Sequence, residues 1–126
     1  MTALDAQPIS GINTNDADQI VVRQKSPTIG AVVSGVDMSS TLSDAAIGVI
    51  RQALLDWKVL FFHDQDITTE QHLAFGRRFG ELEVHPFAPE KPGFPEVLAI
   101  THDEDSAGYE NLWHYDVTWR ADPSLG

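Results

Sequence analysis

Cysteine is absent from this chain of 126 residues. Its absence excludes disulfide bridges and thiolate-ligated metal centres among these residues, and suits a cytoplasmic protein. Basic residues are few: eight Lys and Arg stand against nineteen Asp and Glu, a formal net charge of −11 at pH 7. Nucleic acids and anionic membranes both demand a positive footprint, so neither is expected as a partner. An anionic ligand would need a local cationic pocket set against that field, with further counter-charges expected beyond Gly126. No apolar run approaches the length needed to cross a bilayer. The first residues also lack the basic patch and apolar stretch of a secretory signal. Gly30 and Gly35 are followed by neither Gly-Lys-Ser/Thr nor a helix, which rules out a phosphate-binding loop. There is no internal repeat and no low-complexity tract.

What is present suffices for a real core. The hydrophobic share is 42 % and the charged share 21 %, ordinary values for one soluble domain or part of one. Residues 1–19 are polar and aperiodic, which predicts a flexible N-terminal arm. Two short strands are expected at 20–24 and 29–33, around Ser26-Pro27. Ser43 then offers an N-cap, with Asp44 in the first turn. Ile47, Ile50, Leu54 and Trp57 recur every three or four residues, so this helix has one apolar face. A buried strand is expected at 59–62, ending at His63-Asp64-Gln65-Asp66. Thr68 and Gln71 have capping-box spacing ahead of a second helix over 69–79, closed by Gly80. Phe75 and Phe79 belong to its core side, and His72 to its surface. Residues 85–95 are rich in proline and read as a semi-rigid irregular loop, suited to a pocket wall or lid. By itself His85 reads as an exposed loop histidine. A strand at 97–101 and an acidic loop follow. The pattern is that of a mixed α/β chain.

The densest chemistry lies in Trp113-His114-Tyr115-Asp116-Val117-Thr118-Trp119. Aromatic and β-branched residues alternate here as in a strand. Residues two apart on a strand share a face, which sets His114 beside Asp116. An imidazole and a carboxylate so held are two of the three ligands of the 2-His-1-carboxylate triad of non-haem iron oxygenases. Chance alone supplies about 0.75 His-x-Asp/Glu matches from five histidines and nineteen acidic residues. Spacing therefore leaves two readings open, a ligand pair and a hydrogen-bonded pair buried in a sheet. A second match, His102-Asp103-Glu104, runs into Asp105-Ser106-Ala107-Gly108 and reads as a solvated turn. The last strands would open a larger antiparallel sheet that finds few partners in these residues, so the chain is expected to be the N-terminal part of a longer protein.

In order along the chain stand Ile29-Gly30-Ala31-Val32-Val33-Ser34-Gly35-Val36-Asp37, Leu42-Ser43-Asp44, Val59-Leu60-Phe61-Phe62, Phe75-Gly76-Arg77-Arg78-Phe79-Gly80-Glu81-Leu82, His85-Pro86 and the segment at 113–119. This uninterrupted succession over residues 27–126 resembles the taurine dioxygenase family of Fe(II)- and 2-oxoglutarate-dependent oxygenases. The resemblance implies a double-stranded β-helix (jelly-roll) core with flanking helices, of which only the N-terminal part would be present, as residues 20–126 of a single dioxygenase domain. It implies Fe(II) as cofactor and 2-oxoglutarate and O2 as cosubstrates. The implied reaction hydroxylates a small-molecule substrate, an organic acid such as a sulfonate or sulfate ester, with release of succinate and CO2. By the same resemblance His114 and Asp116 match the first two iron ligands, and His85 matches a histidine that contacts the substrate sulfonate. Val117 matches a position lining the substrate site. No catalytic group beyond the metal ligands is implied. The family's taurine-specific members carry a Tyr where this chain has Ala88, and an Asn where it has Glu110. Two polar groups that read a small amino-sulfonate are thus altered, which argues against taurine and for a larger or more apolar substrate. The second histidine ligand and the arginine that binds 2-oxoglutarate would follow Gly126. A homo-oligomer stays open. The alternatives are a metal-free jelly-roll binding domain and an inactive truncated fragment.

Overall fold

The computed structural model describes residues 16–84 and 90–98, together with Trp113 and Ala121. The chain divides into two compact units, Met1–Phe79 and Gly80–Gly126. In the first, α1 (Asp16–Gln19), β1 (Val21–Gln24), β2 (Ala31–Ser34), α2 (Asp44–Trp57), β3 (Leu60–Phe61) and α3 (Thr69–Arg77) follow one another. The mixed α/β reading holds. Strand β2 is central, antiparallel to β1 and parallel to β3. Parallel neighbours need a long crossover, and α2 supplies it.

The strands are set by burial on one face. Ala31 and Val33 of β2 are buried while Val32 between them is half-buried. Val33 joins Val36, Leu42, Ala46, Ile47 and Ile50 in the core, and Val22, Leu60, Phe62, Phe75 and Phe79 pack against it. Phe75 meets Phe62 edge-on at 6.0 Å and Phe79 at 5.2 Å between ring centroids. Ile50, only 1 % exposed, is the largest fully buried side chain among the described residues; such burial is worth about 1.5–3 kcal/mol. Strand β2 starts at Ala31 and not at Ile29 because Gly30, at φ 88°, turns the chain. The Gly30 N–H donates to the Trp57 carbonyl at 2.8 Å and so fastens the strand to the end of α2.

Both helix starts follow local sequence. The Ser43 hydroxyl accepts from the Ala46 N–H at 3.1 Å. Thr68 and Gln71 form a reciprocal capping box, with the Gln71 carbonyl oxygen accepting from the Thr68 N–H at 2.8 Å. Helix α2 ends where Lys58 adopts a left-handed conformation, φ 65°, and its N–H donates to the Leu54 carbonyl. Helix α3 closes at Arg77, two residues short of the expected end, because the Arg78 and Phe79 N–H groups bond three residues back, to Phe75 and Gly76. The loop over 36–42 is pinned by two glutamines. Gln65 accepts from the Met38 N–H at 2.9 Å and donates to the Val36 carbonyl at 3.0 Å. Gln71 donates to the Ser39 carbonyl at 3.1 Å.

Composition assigns residues 16–19 to the arm, yet they form the helical turn α1. Its anchor is Asp16, a buried carboxylate that accepts from the Ser43 backbone N–H at 2.8 Å and from the Ser43 hydroxyl. The hydroxyl foremost, and then the backbone N–H, hold the Asp16 carboxyl below its ordinary 3.8. A depressed folded value stabilises the fold above the ordinary value, and that contribution is lost as pH falls through the lower one. Replacing Asp16 with Asn is therefore expected to lower the urea midpoint at pH 7 and to flatten its decline below about pH 4. An acid limb as steep as the parent's would show that this carboxylate is not a source of the acid sensitivity.

The second unit contains a hairpin, β4 (Glu90–Lys91) and β5 (Phe94–Leu98), paired antiparallel with an irregularity between Glu90 and Lys91. The irregular loop expected over 85–95 is thus, from 90 onward, a hairpin. Pro92-Gly93 makes its turn, with Gly93 at φ 82° in the position where a type II turn requires a positive value. Pro95 is tolerated because, among the described residues, neither strand of this hairpin is flanked on both sides. Among the described residues no helix is long and apolar enough to cross a membrane.

Candidate functional site

The elements that lead into the candidate site are clear. Helix α3, capped by Thr68 and Gln71, carries the chain to Phe79 through the core contacts of Phe75 and Phe79. Leu82, half-buried, follows Gly80 in the second unit, and His85 stands three residues further on. On the other side of residues 85–89 the chain is fixed by the β4–β5 pairing, where the Lys91 ammonium lies 5.5 Å from the centroid of the Phe94 ring. Trp113, immediately before His114, is fully exposed. His85, Ala88, Glu110, His114, Asp116 and Val117 lie outside the described residues.

The described part bears on the site by elimination. Among the described residues no three His, Asp or Glu side chains are grouped so as to hold a metal ion. His72 is exposed on α3, as its spacing predicts, and His63 is exposed after β3. Neither belongs to a ligand cluster among the described residues. An imidazole and a carboxylate, the pair expected at His114 and Asp116 in a chain without thiols, form a donor set that suits ferrous iron, whereas thiolates would draw zinc or copper.

Sequence reasoning did not single out an open depression of about 230 Å³ between the loop at 38–42 and helices α2 and α3, lined in part by Met38, Gln71, Phe75 and Arg78. Its cationic group is already engaged. Arg78 donates to the Leu42 carbonyl at 2.7 Å and to the Asp44 carboxylate at 2.6 Å. Asp44 is fully exposed, so solvent screens the ion pair and it adds little stability; its use is to hold the end of the loop at the start of α2. These partners stand 34 and 36 residues apart in the chain, and no local pattern announces them.

The family model described as taurine catabolism dioxygenase TauD, TfdA family matches residues 22–126. An alkylsulfatase of Acinetobacter baylyi is 36 % identical over 107 residues, covering 83 % of this chain and 33 % of that protein. An (S)-phenoxypropionate/alpha-ketoglutarate dioxygenase of Sphingobium herbicidovorans is 38 % identical over 96 residues, covering 73 % of this chain and 33 % of that protein. Among solved structures, a taurine dioxygenase from Burkholderia xenovorans shares 40 % identity at a TM-score of 0.69, over 83 % of this chain and 37 % of that one. The chain spans about a third of the length of the curated relatives it matches.

Proposed function

This chain belongs to the TauD/TfdA dioxygenase family, and on that premise we propose that it is the N-terminal portion of an Fe(II)- and 2-oxoglutarate-dependent dioxygenase acting on a small organic acid. The observation that carries the reading is the reach of the family match, which covers residues 22–126 and so spans the stretch that contains His114 and Asp116. In this reading the domain has a jelly-roll core, to which the antiparallel pairing of β4 and β5 is suited.

The chain's own residues would then divide the work. The His114 imidazole and the Asp116 carboxylate would hold the ferrous ion, together with a histidine outside these residues. When bound, the iron and its cosubstrate supply oxidative decarboxylation to succinate and CO2, coupled to hydroxylation of the substrate. His85, by the family resemblance, holds the substrate's anionic group. Val117 supplies an apolar wall and keeps water from the substrate carbon. Ala88 and Glu110 in place of Tyr and Asn favour a substrate bulkier or less polar than taurine. An alkyl sulfate and an aryloxypropionate, the chemistries named for the two curated relatives, are the first to test. A cytoplasmic setting fits a chain without cysteine.

Offered an alkyl sulfate, an alkane sulfonate and phenoxypropionate separately, the full-length enzyme is expected to form succinate well above its substrate-free rate with at least one. Equal rates with all three and with none would refute the small-acid assignment. On the accepted substrate, replacing His85 with Ala should raise KM roughly 10–100-fold, the loss of one charge-assisted hydrogen bond, with little change in kcat. An unchanged KM would remove His85 from the substrate site.

A further inference from the structure

The segment that carries His85 runs directly into β4, whose first residue is Glu90. Its sequence, His85-Pro86-Phe87-Ala88-Pro89, leaves the backbone little choice. Pro86 and Pro89 each fix their own φ at about −65°, and each restricts the residue before it, His85 and Ala88. Only Phe87 keeps an ordinary range of conformations. A stretch so restricted takes its direction from the element to which it is joined, and that element is the β4–β5 hairpin.

Close to that junction the hairpin has one well-defined shape. Lys91 pairs with Phe94 around the turn Pro92-Gly93, where Gly93 stands at φ 82°. The Lys91 ammonium, 5.5 Å from the centroid of the half-buried Phe94 ring, closes the turn by a cation–π contact. One residue earlier the register jumps. Glu90 pairs with Leu98, so β4 advances one residue while β5 advances four, from Phe94 to Leu98. Irregularities of this kind bend a strand and re-aim what it carries, and they recur beside functional sites. This one lies where β4 receives the His85 segment.

We propose that the β4–β5 hairpin positions His85 for the substrate's anionic group, with Gly93 and the Lys91–Phe94 pair as positioning residues that act through the backbone of 85–89. This rests on the assignment of His85 to that group. Gly93 isolates the effect of backbone shape. A Cβ there would meet nothing within 4 Å, so a side chain adds no clash. At φ 82° an alanine is strained, whereas an asparagine tolerates the left-handed region.

Steady-state kinetics of the full-length protein test this, on whichever of the alkyl sulfate, alkane sulfonate and phenoxypropionate it turns over. Gly93→Ala is expected to raise KM roughly 3- to 10-fold with kcat within about twofold of the parent, and Gly93→Asn to restore most of the parent KM. Lys91→Ala should raise KM as well, and Lys91→Arg should restore it, since a guanidinium also stacks on an aromatic ring. In a His85→Ala background the effect of Gly93→Ala should vanish, because the group being positioned is gone. An equal rise in KM with and without His85 would overturn the positioning role, as would a parent-like KM for Gly93→Ala or a Gly93→Asn protein no better than Gly93→Ala. In each of those cases His85 keeps its place through its own effect on KM. If His85→Ala alone leaves KM unchanged, the substrate assignment fails and the positioning role falls with it. Should Gly93→Ala fail to fold, Lys91→Ala, alone and combined with His85→Ala, decides in the same way.

Discussion

On the proposed assignment, replacing His114 with Ala in the full-length protein is expected to abolish substrate-dependent succinate formation. The expectation follows from the ligand count. A ferrous ion held by two imidazoles and one carboxylate loses a third of its protein donors, and no other described side chains are grouped to take their place. Changes to groups that merely support a ligand typically cost 10–100-fold in metal affinity or activity, so removal of the ligand itself should exceed about 100-fold. The fold should survive, since the core cluster of Val33, Val36, Leu42, Ala46, Ile47 and Ile50 lies in the first unit. Replacing His72, exposed on α3, with Ala provides the contrast and should leave turnover at the parent level. If the His114→Ala enzyme turns over as fast as the parent, the ligand assignment is wrong. The buried hydrogen-bonded pair would then be the better account of His114 and Asp116.

The second large effect is on stability and falls at Gly35. This residue has φ 78°, and a Cβ there would lie 2.0 Å from the Gln19 carbonyl oxygen and 2.8 Å from its carbon. Both obstacles are backbone, at the junction of α1 with β1, and cannot be relieved by turning a side chain. Gly35→Ala is expected to cost about 2–4 kcal/mol, combining a left-handed conformation with steric overlap. Gly48 makes the opposite case. It lies within α2 with nothing within 4 Å of an added Cβ, so Gly48→Ala should gain up to about 1 kcal/mol from helix propensity. Urea denaturation of the two variants should therefore shift in opposite directions. A Gly35→Ala midpoint equal to the parent's would mean that α1 does not dock as described.

These two glycines show where sequence is informative and where it is not. Reading Gly35 as part of a phosphate loop could be excluded from its neighbours, but its actual use, a close approach to Gln19, depends on a contact between segments sixteen positions apart. Capping chemistry was legible because it is local. Ser43, Thr68 and Gln71 satisfy N–H groups within three residues of themselves, and Ile47 and Ile50 declare the buried face of α2 by spacing alone. The anchor of α1 was not legible, since Asp16 finds Ser43 across 27 residues. Nor was the β4–β5 hairpin, because four prolines in residues 85–95 suggested irregular chain, whereas Pro92-Gly93 is itself turn chemistry and Pro95 sits in a strand with one neighbour among the described residues. For the site, residue types were legible and geometry was not. Two donors two residues apart on a strand declare themselves, while the third donor is a matter of how distant parts of the polypeptide meet.

Anaerobic addition of Fe(II) and 2-oxoglutarate to the full-length protein puts the central assignment to its most direct test. The cosubstrate chelated to a ferrous ion gives a weak visible charge-transfer absorption, which should appear in the parent enzyme, saturate at one iron per chain, and be absent when His114 or Asp116 is replaced with Ala. A parent protein that shows no such absorption at saturating iron and 2-oxoglutarate, or variants that show it undiminished, would contradict the account.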